Sequence, residues 1–112
     1  MLQISDPLAQ ALQLHRSGRV HDAIEHYLSL LPQQQNSSRL LYLLGNAYLQ
    51  VGRPQIGVEH LQRSLALDPQ NLEALVSLGN ALRELKRPRD ALAAYDRALS
   101  IRPDQAEVYN NR

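Results

Sequence analysis

Four histidines, His15, His21, His26 and His60, carry the only imidazole nitrogens that could ligate a metal or move a proton near neutral pH. No two of them stand four residues apart, the spacing that sets a zinc-binding pair on one helical face, and no HExxH run occurs. The chain has no cysteine, which excludes disulfides and thiolate metal sites. Asp90, Asp96 and Glu84 belong to solvated helix faces, and the remaining Ser and Asp residues fall near helix ends, where capping accounts for them. Glycines stand singly, not in a loop that could cradle phosphate. The expectation is a non-enzymatic segment with no metal and no cofactor.

Asn46 and Asn80 suit a different chemistry, holding instead of transforming. An amide offers a donor and an acceptor together, so a repeated Asn can clamp the backbone of an extended peptide without reading its side chains. The two lie 34 residues apart, and the surrounding residues repeat with them: Leu44-Gly45-Asn46-Ala47 against Leu78-Gly79-Asn80-Ala81. In the same register Leu41 maps onto Leu75, Arg53-Pro54 onto Arg87-Pro88, Leu65 onto Leu99 and Pro69 onto Pro103. A fixed period of this size marks a repeat array, in which each unit buries its apolar face only against its neighbours and the product is an extended surface.

Apolar residues recur at three- and four-residue steps, the helical period. Asp6-Pro7 is a helix start, an acceptor followed by a ring that lacks an N–H, and this first helix should stop at Gly18. A second runs from about Ala23 to Leu31 and ends at Pro32. Leu40 to Val51 and Pro54 to about Leu67 form a second pair. Leu72 to Leu85 and Arg89 to Ile101 form a third. Asp104 with Glu107 resembles a capping box opening a seventh helix. The fold class expected is all-α, an α-solenoid of three antiparallel hairpins plus the start of a fourth, with repeats at about 4–37, 38–71, 72–105 and a partial unit at 106–112.

Composition narrows the partners. Twelve basic and eleven acidic side chains give a net charge of +1, without the excess of Lys and Arg that nucleic-acid binding needs. No run approaches the roughly 20 apolar residues of a membrane helix, and the first residues carry no basic, apolar leader. The chain reads as cytoplasmic, without membrane insertion.

These residues resemble the tetratricopeptide repeat. The resemblance rests on Leu41, Leu44, Gly45, Tyr48, Leu61 and Pro69 in the second unit and on Leu75, Leu78, Gly79, Leu82, Ala91, Tyr95, Ala98 and Pro103 in the third. The first unit, with Ala11, Leu14, Gly18, Ala23 and Tyr27, departs at Pro32, three residues early, so its loop should be irregular. The resemblance implies a right-handed superhelical array. In it Gly79 should face the second helix of its own hairpin, roughly opposite Ala91, and Tyr95 should fill the gap between the second and third hairpins.

The resemblance also implies a concave face lined by the first helix of each hairpin. Carried over by position, the peptide-binding residues are Leu12, His15 and Arg16, then Arg39, Tyr42, Asn46, Leu49 and Gln50, then Glu73, Val76, Asn80, Arg83 and Glu84, with Ser5 and Leu8 extending the row. Their spacing is that of one helical face. Chaperone-binding members grip a carboxylate with basic residues and Asn at places held here by Leu8, Leu12, Leu43, Glu73 and Ser77, so that subfamily is set aside. Sugar-transferring relatives use an asparagine ladder at places held here by Leu43, Ser77 and Asn111.

The expected function is a protein–protein interaction module that holds an extended peptide or a partner helix in this groove. The alternative is the substrate-presenting arm of a larger enzyme such as an O-linked sugar transferase, because the opening residues resemble the N-terminal arrays of bacterial proteins with a downstream glycosyltransferase domain. Tyr109-Asn110-Asn111-Arg112 reads as the middle of a helix. The chain is therefore expected to be a fragment of a longer array, and its uncapped C-terminal end, through Leu92, Tyr95 and Leu99, to self-associate as a homodimer.

Overall fold

The computed structural model describes residues 6–104. Six α-helices run in order: α1 Pro7–Arg16, α2 Val20–Leu30, α3 Ser38–Gln50, α4 Pro54–Leu67, α5 Leu72–Glu84 and α6 Pro88–Ile101, with a 3-10 turn at Leu31–Gln33 after α2. No strand occurs among the described residues. Neighbours in sequence are neighbours in space: α1 packs on α2, α3 on α4 and α5 on α6 within hairpins, while α3 lies on α2 and α5 on α4 between them. The stack measures 50 × 25 × 24 Å, the elongated form expected of an array. The expected seventh helix, with Glu107 and Tyr109, lies outside the described residues, as does Ser5.

Local chemistry fixes the helix ends. Each inner helix opens on a side-chain cap: Asp6 Oδ1 accepts from the Leu8 N–H at 3.2 Å, Ser37 Oγ from Leu40 at 3.1 Å and Asn71 Oδ1 from Ala74 at 3.1 Å. Such a bond satisfies an amide that the first turn otherwise leaves unpaired. The cap at Ser37 starts α3 at Ser38 instead of Leu40. Each outer helix follows an arginine, Arg19, Arg53 or Arg87, with proline at the first helical place of α4 and α6. Pro32 ends α2 one turn short and tightens Leu31–Gln33 into the 3-10 turn, which is the irregular loop expected there.

The three hairpin turns are copies of one another. Gly18, Gly52 and Lys86, 34 residues apart, have φ of +90°, +78° and +62°. After each, an arginine N–H reaches back to a carbonyl five residues earlier: Arg19 to Leu14 at 2.9 Å, Arg53 to Tyr48 at 2.8 Å and Arg87 to Leu82 at 2.9 Å. This is the left-handed closure that a helix C-terminus uses to satisfy its last carbonyls.

Two apolar clusters form the core. One joins the first hairpin to α3 through Ile24, Tyr27, Leu30, Leu40 and Leu44, and the other joins α4 to the third hairpin through Val58, Leu61, Leu75, Leu78 and Tyr95. Gly45 and Gly57 bring the α3 and α4 backbones together: a Cβ on Gly57 would lie 2.8 Å from the Gly45 carbonyl oxygen.

The crossing of the third hairpin has one detail that spacing did not supply: the atoms nearest a side chain at Gly79 would be those of the Tyr95 ring. Tyr95, buried in the cluster that joins α4 to the third hairpin, thus also plugs the crossing inside its own hairpin. The glycine leaves room for a ring, and the ring takes it.

Candidate functional site: the inner helical face

All thirteen predicted groove residues lie on α1, α3 or α5, and none is buried. Arg16, Arg39, Gln50, Glu73, Arg83 and Glu84 are exposed, while Leu12, His15, Tyr42, Asn46, Leu49, Val76 and Asn80 are partly covered. The residues between them, such as Leu43, Leu44, Gly45 and Ala47, are buried, so one stripe of each inner helix faces the core and the next faces outward.

The partly covered members divide by what they touch. Leu12 packs against the first cluster, Leu49 and Val76 against the second, and Tyr42 against both. Leu49 reaches across to α4, where a Cβ on Gly57 would come within 2.7 Å of its Cδ2. That side chain helps close its own hairpin. His15 also turns inward: Nδ1 lies 2.9 Å from the Tyr27 hydroxyl, and the two rings meet edge to face at 5.8 Å. Its Nε2 is 2.6 Å from Gln50 Oε1, which ties α1 to α3.

The two asparagines, alike in sequence, have different partners. Asn46 Oδ1 accepts from the Ser77 hydroxyl at 3.5 Å, bridging α3 to α5. Asn80 Oδ1 accepts a short hydrogen bond from the Tyr95 hydroxyl, inside the third hairpin. With one lone pair of its carbonyl oxygen taken by Tyr95, Asn80 retains a second acceptor position and its amide N–H groups.

Three predicted residues converge on an open cleft of about 460 Å3 at the start of α3 and α5. Arg39, Tyr42 and Glu73 line it, together with Asn71 and, from the end of α6, Ile101 and Arg102. Burial pushes the Tyr42 hydroxyl above its ordinary pKa and the Glu73 carboxylate adds to this, while the Ser77 hydrogen bond and Arg39 act in the opposite direction. Tyr27 is raised by burial against the pull of Arg16 and Arg39. The cleft thus presents a neutral phenol between a guanidinium and a carboxylate. No group of three metal-ligating side chains occurs among the described residues, and no described helix is long and apolar enough to cross a membrane.

Sequence reasoning did not foresee one polar contact. Ser38 and Ser64 exchange hydrogen bonds: Ser38 Oγ donates to the Ser64 carbonyl at 3.0 Å and Ser64 Oγ to the Ser38 carbonyl at 2.8 Å. Ser64 is fully buried. The available signal was its register, since Ser64 stands where the third repeat has Ala98, a place that admits only small residues.

The Tetratricopeptide repeat profile matches residues 42–106, and the chain belongs to that family. Among solved structures, MamA is 26% identical over 94% of this chain, with a TM-score of 0.91. The first tetratricopeptide domain of Spaghetti (RPAP3), bound to the HSP90 peptide SRMEEVD, is 19% identical over 93% of this chain and 82% of that one, with a TM-score of 0.90. The Arabidopsis OM64 domain is 17% identical over 94% and 87% of the two chains, also at 0.90. At such identities the latter two establish the fold alone. This chain spans 61% of the MamA chain. No curated protein matches the sequence.

Proposed function

We propose that the chain is a protein-interaction module that holds an extended peptide or a partner helix along the inner face of α1, α3 and α5. The observation that carries this reading is the cleft where Arg39, Tyr42 and Glu73 converge. It is open, and it is lined by an aromatic flanked by charges of both signs, the kind of surface that anchors a side chain while the rim sets orientation. The Spaghetti (RPAP3) domains of similar shape were solved with HSP90 peptide bound, so a groove of this architecture has room for polypeptide. The ligand differs in kind, because Leu8, Leu12, Glu73 and Ser77 stand here instead of a basic clamp. Asn46 and Gln50 continue the row along α3 away from the cleft. The sugar-transferase arm draws no support from these relatives.

The test is peptide selection from a displayed random library on the 112-residue chain, followed by affinity measurement on Arg39→Ala and Glu73→Ala. Both residues are exposed, so helicity should be unchanged. Selected peptides should bind at least about tenfold more weakly to one or both variants. Peptides indifferent to both would place binding on another surface.

A further inference from the structure

The two long edges of the stack differ in charge. Antiparallel hairpins bring the turns at Gly18, Gly52 and Lys86 to one edge, while Asp6, Asp68 and Asp104 mark the other. The segments that build the turn edge, 15–22, 49–56 and 83–90, carry seven Lys or Arg and three Asp or Glu, a net of +4. The whole chain nets +1, so the rest of it nets −3. Charges are screened over about 8 Å at physiological salt, and the stack is 25 Å across. A partner on the turn edge therefore meets its charge without cancellation from the far side.

All seven of these basic side chains are exposed. Two are neutralised in place: Arg19 pairs with Asp22 at 2.7 Å and Arg87 with Asp90 at 2.8 Å, each three residues on. Arg53 has Ile56 at that place. Together with Arg16, Lys86 and Arg89 it forms no ion pair among the described residues. Each turn thus offers at least one cation outside any ion pair, in a row along the long axis.

We propose that the turn edge docks an acidic, extended polypeptide segment lying across the three turns. Charge complementarity selects an anion, and the interruption of the row selects its kind. Asp22, Glu84 and Asp90 stand among the cations. A polypeptide can space its carboxylates to avoid them, whereas a phosphate backbone or a lipid surface presents charge at every step. The edge segments also contain no Phe, Tyr or Trp, the side chains on which unpaired bases stack or that settle into a membrane interface. Guanidinium groups suit carboxylates, which they can grip through two parallel hydrogen bonds. At roughly 3.4 Å per extended residue, a segment of about 15 residues spans the 50 Å axis.

The experiment is fluorescence anisotropy on the whole chain with a labelled Gly/Ser peptide of about 18 residues carrying glutamate at every third place. Affinity should fall at least about tenfold between low and physiological salt. Arg53→Glu/Arg89→Glu should weaken binding at least about tenfold, with circular dichroism and Tm near those of the parent. Arg63→Glu/Arg97→Glu makes the same change in net charge at exposed places on α4 and α6 away from the turns. That variant should bind within about twofold of the parent. Absence of binding at low salt, equal binding of a peptide with glutamine in place of glutamate, or equal loss in the two double variants would each overturn the proposal. Tighter binding of a DNA duplex or of phosphatidylserine vesicles at the same concentration of charge would assign the edge to another class of partner and overturn it as well.

Discussion

The ring of Tyr95 occupies the space that a side chain on Gly79 would need: a Cβ there would fall 2.7 Å from the ring Cδ1. One residue along, Asn80 accepts the Tyr95 hydroxyl, so the ring is seated on the glycine and fastened at its tip. Gly79→Ala should cost about 1–3 kcal/mol by forcing the ring aside. Tyr95→Phe should cost about 1 kcal/mol through the lost hydrogen bond, and Tyr95→Ala about 3–5 kcal/mol. Urea unfolding followed by circular dichroism checks the order. A Gly79→Ala variant as stable as the parent would show that the ring can shift without loss.

The paired serines give a second measurable contrast. Ser64→Ala removes the hydroxyl that donates to the Ser38 carbonyl, while the Ser38 hydroxyl keeps the residue-64 carbonyl, and should destabilise by about 1–2 kcal/mol. The third repeat solves the same place with Leu72 and Ala98. The double variant Ser38→Leu/Ser64→Ala should therefore recover part of the loss, and a double-mutant cycle by denaturant titration would measure the coupling.

Lys86 holds a left-handed turn that Gly18 and Gly52 hold elsewhere. A residue with a Cβ is strained by about 1–2 kcal/mol there, partly offset by the lower chain entropy of a non-glycine unfolded state. Lys86→Gly should stabilise the chain by about 0.5–1 kcal/mol, visible as a raised Tm. A fall in Tm would mean that the lysine makes a contact that outweighs the strain.

Tyr27, Tyr42 and Tyr95 all have pKa values raised above the ordinary 10.0, chiefly by burial. The folded chain therefore keeps protons that the unfolded chain releases first. Stability from this source is complete below pH 10 and falls as pH rises through the folded values. A steeper alkaline loss in the parent than in Tyr95→Phe, measured as denaturation midpoint against pH, is the expected result.

The 34-residue register made the helices, the turns and the identity of the core readable, because each depends on spacing and residue size. What it could not supply was the direction in which a side chain leans within an open stripe. His15, Leu49 and Arg83 share one place in the repeat, yet His15 bonds Tyr27 and Leu49 covers Gly57. Which neighbour claims a side chain depends on the residue opposite, which is tyrosine at 27 and 95 but leucine at 61. Asn46 and Asn80 part company for the same reason: position 61 has no hydroxyl to offer Asn46, so Ser77 reaches it instead. Gly79 lies against α6 as expected, but that the Tyr95 ring, one turn along from Ala91, would be its nearest neighbour was not legible, because a 34-residue register does not fix the crossing angle.

The alternation of bulk across the hairpins bears on which parts of one repeat could stand in for those of another. Tyr27 with Ala23, Leu61 with Gly57 and Tyr95 with Ala91 are successive versions of one wedge, thick, thin and thick again. The middle pair of helices touches backbone to backbone, while each outer pair is propped by a ring. Each hairpin is thus fitted as a set: a residue moved alone from one repeat to the matching place of another would lose the fit that moving it together with its partner keeps.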